Sequence, residues 1–179
     1  MDILAHGLWA GAAAVALTPG YRPKRSDWVW FVGLSVLPDL VHMLPVTGWA
    51  VFSLSSADWW QYATASPGQE PNMSETVRLW AHHLHCVMHS ALSASVVTAL
   101  AWWLRGALWL PLLGWWLHIV IDVFTHSAEF FPSPVLYPVT YWGFDGLAWN
   151  QPAFMIANYV ALAFAWLVLY CLSRLPGAP

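Results

Sequence analysis

Leu112-Leu113-Gly114-Trp115-Trp116-Leu117-His118-Ile119-Val120-Ile121-Asp122-Val123-Phe124-Thr125-His126 sets His118, Asp122 and Thr125 inside an otherwise apolar run. Steps of four and three residues, at about 100° per residue on a helix, return these three side chains to nearly one azimuth. A histidine and a carboxylate one turn apart can grip one metal ion. An ionisable group at bilayer depth costs roughly 2.5–3.5 kcal/mol on insertion scales, so the pair reads as functional rather than as stray polarity.

The rest of the chain has the same apolar character. Of its 179 residues 59% are hydrophobic, 15 are Trp and only 8% are charged, where soluble domains carry about 25% charged residues. The chain therefore reads as an all-α polytopic membrane protein, a single integral membrane domain over residues 1–179 with the lipid bilayer as its first partner. A formal charge of −3 offers no basic surface to neutralise phosphates, so no nucleic acid is expected as a partner. Cys86 and Cys171 form no CxxC motif and read as small apolar packing residues. The start, Met1 to His6, lacks the positive n-region of a signal peptide and is expected to stay as a first helix.

Five spans are expected, over about 3–18, 27–46, 79–104, 107–127 and 151–172. Pro19-Gly20 would stop the first, and Pro38 and Pro45 would interrupt the second, leaving a broken helix of the kind that lines a site. Residues 47–78 alternate aromatic and polar and read as an interfacial segment followed by a water-exposed loop. The connection 128–150, rich in Pro and aromatics, reads as a lid or binding loop. Five of the six Lys and Arg fall in alternate connections: three in the loop Tyr21 to Ser26, one in the turn at Arg105-Gly106, and Arg174. The positive-inside rule then makes that side cytoplasmic, with the N-terminus and both long loops outside and the C-terminus cytoplasmic.

Counting from the cytoplasmic ends at about 1.5 Å per residue puts His6, Asp39 and His118 about 18–20 Å up, and His89 and Asp122 about 24–26 Å up. His42 and His85 come within about a turn of this layer. Four helices thus bring His or Asp to one level in the outer half of the bilayer. In His82-His83-Leu84-His85-Cys86-Val87-Met88-His89, positions 82, 85 and 89 share a face. Three imidazoles on one face each want a polar partner, which packing alone does not supply. His83 and His126 fall off these faces and read as solvated.

Mixed nitrogen and oxygen donors without a thiolate cluster suit Zn2+, or Mn2+ or Fe2+ where carboxylates dominate. A divalent metal is therefore the expected cofactor. It would make water a nucleophile near neutral pH, and hydrolysis follows from that.

The pattern resembles the bacterial inner-membrane family of metal-dependent hydrolases, small polytopic proteins of undefined substrate. The resemblance falls on His6, on Pro38-Asp39 with His42, on His89-Ser90, and on His118, Asp122 and Thr125 followed by Pro134-Val135-Leu136-Tyr137-Pro138. Two positions depart from it: Val41 stands where the family has a second Asp, and His85 is the nearest substitute for the first His of its helix-three motif. The residues and the resemblance together imply a metal-dependent hydrolase in the bacterial inner membrane, and the likeness in kind of the His/Asp set to zinc phospholipases points to an ester or phosphoester of a lipid-like substrate at the outer leaflet. His6, Asp39, His89, His118 and Asp122 would be metal ligands, His85 a ligand or general acid/base, and Thr125 a support that orients Asp122. Two other classes compete. A haem electron-transfer protein would pair histidines across two helices but has no use for Asp39 and Asp122 in the same layer. A divalent-metal or proton transporter would line its path with His and Asp down to the cytoplasm, where these helices read Ala, Val, Leu and Trp.

Overall fold

The computed structural model describes residues 1–17, 24–53, 56–65 and 68–174, and among them the chain is all helical. Seven helices follow one another: α1 (Ile3–Ala16), α2 (Arg25–Phe52), α3 (Ser56–Thr64), α4 (Glu75–Met88), α5 (Ala91–Arg105), α6 (Leu112–Thr125) and α7 (Pro152–Ser173). The expected stop at Pro19-Gly20 and the first part of the basic loop lie outside the described residues.

Two helices, α2 and α7, are long and apolar enough to cross a membrane, and α4 with α5 would make a third if the pair acts as one bent span. That is fewer than the five spans expected. The shortfall lies in α1 and α6, apolar helices of 14 residues each; at 1.5 Å per residue they reach about 21 Å, against a hydrocarbon core of about 30 Å.

Two boundaries differ from expectation for identifiable reasons. Pro38 and Pro45 do not interrupt α2, which runs on to Phe52. Each proline removes one backbone donor, but α2 is packed by α1, α3, α4 and α6, and these neighbours hold its course. The single helix expected over 79–104 is instead split into α4 and α5, with a 61° bend. No Pro or Gly marks the break. Ser90 makes it by turning extended and accepting the Ser93 backbone N–H at 3.2 Å as the N-cap of α5. The Trp115 indole donates to the freed Met88 carbonyl at 2.7 Å, closing the end of α4.

The central helix is α2, and its contact with α6 sets the site. At Gly114 a Cβ would stand 2.0 Å from the Phe31 carbonyl oxygen, so only glycine permits this approach of the two backbones. One turn further along both helices, His118 meets the Ser35 carbonyl at 2.7 Å. A further turn brings Asp122 and Asp39 into one cluster. The pairs 31/114, 35/118 and 39/122 advance together by four residues, so α2 and α6 run parallel and present one matched stripe.

The segment 128–150 is strapped down. Its Val135 carbonyl accepts from Ala91 N–H at 2.8 Å, its Tyr137 carbonyl accepts from the Ser90 hydroxyl at 2.7 Å, and Gly146 and Trp149 donate to the His126 and Thr125 carbonyls. Both ends of the loop are thereby tied to the helix ends that carry the site. Tryptophan indoles tie other pairs, α3 to α2 through Trp59 and Thr47, and α1 to α7 through Trp9 and Asn158.

Candidate metal centre

Four elements contribute to one buried cluster. Asp39 comes from α2, His89 from the C-cap of α4, and His118 and Asp122 from α6, and one ligand atom from each lies within 4.8 Å of all the others. His6 joins from α1, where Asp2 caps the helix by accepting the Ala5 N–H at 2.9 Å. His6, His89, His118 and Asp122 are fully buried and Asp39 nearly so. Among the described residues no Lys or Arg pairs with either carboxylate; their neighbours are imidazoles and, at Asp122 Oδ1, the Met1 amino nitrogen.

The hydrogen bonds fix which ring nitrogen carries the proton. His89 Nδ1 lies 2.8 Å from the His85 carbonyl, His118 Nδ1 2.7 Å from the Ser35 carbonyl, and His126 Nδ1 2.6 Å from the Phe131 carbonyl. A carbonyl oxygen only accepts, so in each ring Nδ1 donates, and in the neutral form Nε2 is left with a lone pair. These lone pairs face the carboxylates. Asp122 Oδ2 lies 3.1 Å from His89 Nε2, 3.1 Å from His118 Nε2 and 3.6 Å from His126 Nε2. The two ring nitrogens of His89 and His118 are themselves 3.1 Å apart. With the rings of His89 and His118 neutral, acceptors therefore face acceptors, and Asp39 Oδ2 and Asp122 Oδ2 accept no hydrogen bond. Buried polar atoms left this way are costly. A divalent cation among Asp39, His89, His118 and Asp122 would make the contacts between their acceptors favourable, and a backbone carbonyl behind each imidazole is the usual outer support of a metal-binding histidine. The residues fit a metal ion, with a carboxylate and imidazole set that suits Zn2+, Mn2+ or Fe2+.

Thr125 donates its hydroxyl to Asp122 Oδ1 at 3.4 Å, one turn from the carboxylate it was expected to support. His85 stacks on His89 with ring centroids 4.1 Å apart and meets His42 edge-on at 5.4 Å. Neither His85 Nε2 nor His42 Nδ1 has a hydrogen-bond partner. Both rings line a chamber of about 540 Å³ that also reaches Asp39 and His126, with Trp59, Met73, Phe130 and Phe131 among its apolar walls. Tyr62 lines it too; burial, with Glu70 nearby, pushes its hydroxyl up to about 12, so it stays a donor at neutral pH.

The structure refines one reading and corrects another. His82 lines the same chamber as His85, but from an exposed position stacked on Tyr141, and it is not among the residues of the Asp39–Asp122 cluster. His126, expected to be solvated, is 7% exposed and turns Nε2 toward Asp122. Helical phase misplaces it because α6 ends at Thr125 and His126 is extended, at φ −115° and ψ 143°. His83 is exposed as expected, with Nδ1 3.0 Å from the Tyr137 hydroxyl.

No family model, no curated protein and no solved structure matches this chain.

Proposed function

We propose that this chain is a membrane-embedded, metal-dependent hydrolase acting on an ester or phosphoester of a lipid-like substrate. The observation that carries the reading is the buried set of Asp39, His89, His118 and Asp122, with lone pair facing lone pair and a chamber beside it. The reading keeps α1 and α6 within the bilayer beside α2, α7 and the bent α4–α5 pair, with Lys24, Arg25, Arg105 and Arg174 on the cytoplasmic side and the chamber toward the outer leaflet. The membrane would be a bacterial inner membrane, as the resemblance implies.

Asp39, His89, His118 and Asp122 would hold the ion, Zn2+ by the balance of its donors. Bound there, it would supply Lewis acidity and activate water as the nucleophile. Thr125 holds Asp122 in its orientation through the hydroxyl contact at 3.4 Å. His85 lines the chamber with its Nε2 buried and unpartnered, and would move a proton to a leaving oxygen. Trp59, Met73, Phe130 and Phe131 would cover the apolar part of the substrate and exclude bulk water.

The test is a screen of carboxylic esters, phosphomonoesters and lipid phosphodiesters with detergent-purified protein, with and without chelator. The reading expects turnover that chelation abolishes, that Zn2+ or Mn2+ restores, and that His85→Ala lowers by about 10²–10⁴-fold. Metal uptake by proteoliposomes that depends on Asp39 and Asp122, with no turnover of any ester class, would replace the hydrolase with a transporter.

A further inference from the structure

Asp39 and Asp122 each divide their two oxygens between different histidines. Asp122 turns Oδ2 to His89 and His118, at 3.1 Å each, and Oδ1 to His6 Nε2 at 2.9 Å. Asp39 repeats the division, with Oδ1 3.6 Å from His89 and 3.8 Å from His118, and Oδ2 3.9 Å from His6. The two carboxylates thus stand as a partition, with the His89–His118 pair on one side and His6 on the other.

The rings of His6 and His118 stack across this partition with centroids 3.9 Å apart and planes inclined by only 26°. Both rings direct Nε2 at Asp122, at different oxygens. His6 Nε2 is bonded to Asp122 Oδ1 and its Nδ1 is buried without a partner, so His6 faces the carboxylates from its own side, apart from the Nε2 pair of His89 and His118. The ring centroids of His6 and His118 are offset by 3.9 Å, close to the roughly 3.5–4 Å that separates the ions of a two-metal site. His6 also lies outside the four residues whose ligand atoms share one centre. On its own side, Asp39 Oδ2 is buried and accepts no hydrogen bond.

We propose that the centre binds two divalent cations bridged by Asp39 and Asp122, the first held by His89 and His118 and the second by His6. The proposal rests on the reading of the first position as a metal site and adds a second, with its own ligand. The Met1 nitrogen approaches Asp122 Oδ1 on this side, and the second ion would displace it.

The experiment uses the full chain in detergent, stripped with chelator, dialysed and titrated with Mn2+, which accepts this nitrogen and oxygen set. Bound metal is counted at equilibrium, and its electron paramagnetic resonance spectrum reports whether the ions are coupled. The expected result is two equivalents per chain with a spin-coupled signal, falling in His6→Ala to one equivalent with the spectrum of isolated Mn2+. One equivalent of isolated Mn2+ in the wild type would overturn the second position and leave the first standing. No binding by the wild type would overturn both. Loss of all metal from a helical, monodisperse His6→Ala protein would make His6 a ligand of one shared ion and so also overturn the pair. The wild-type spectrum decides the matter even if the variant does not fold.

Discussion

His118 donates its Nδ1–H to the Ser35 carbonyl at 2.7 Å, one turn beyond the point where Gly114 lies against the Phe31 carbonyl. The first contact depends on the second. Gly114→Ala places a methyl 2.0 Å from a backbone oxygen that cannot rotate away, so α6 must shift off α2 and carry His118 and Asp122 with it. Overpacking of this kind costs roughly 1–3 kcal/mol. The expected outcome is a lower melting temperature in detergent together with weaker metal binding. A variant with unchanged melting temperature and affinity would show that the α2–α6 approach does not set the site.

His126 and His82 both line the chamber but are placed differently, one 7% exposed beside Asp122 and the other exposed and stacked on Tyr141. His126→Ala should weaken metal affinity by about 10–100-fold, the range found for outer supports of a metal centre. His82→Ala should leave it within error of wild type. Isothermal titration of both variants with Zn2+ checks this, and equal affinities would remove His126 from the centre.

Thr125 contributes a hydroxyl to Asp122 Oδ1. Thr125→Val keeps the shape and deletes the donor, and Thr125→Ser keeps the donor. Metal affinity should fall by about 10-fold or more in the first and recover in the second. Identical losses in the two would point to packing of the methyl group in place of the hydrogen bond.

Ser90 caps α5 and also donates to the Tyr137 carbonyl. Ser90→Ala should cost about 1 kcal/mol as a lost cap and should speed hydrogen exchange across 133–142 while metal content stays near wild type, since the His89 ring is held by its own bond to the His85 carbonyl. Exchange unchanged in that segment would mean that the strap is held by its other bonds alone.

Helical periodicity makes part of this centre legible in the sequence. The four-residue step from His118 to Asp122 survives in α6, and a level estimated from rise per residue brings His6, Asp39 and His89 to the same cluster. What the sequence hides is where periodicity stops. Ser90 breaks a helix with a side-chain cap and no Pro or Gly to announce it, whereas Pro38 and Pro45 announce breaks that the neighbours of α2 suppress. His126 stands one residue past a helix end, and its place in the centre follows from an extended backbone and a bond to Phe131. The Gly114–Phe31 approach is tertiary, and no pattern in either helix alone reveals it.

The central claim is that a divalent cation belongs among Asp39, His89, His118 and Asp122. Elemental analysis of detergent-purified protein, wild type beside Asp122→Ala and His83→Ala, tests it most directly. Bound divalent metal is expected in the wild type, with its loss in Asp122→Ala and its retention in His83→Ala, whose ring lies outside the cluster at 3.0 Å from the Tyr137 hydroxyl. Equal metal in wild type and Asp122→Ala, or none in wild type after loading with Zn2+, would contradict it.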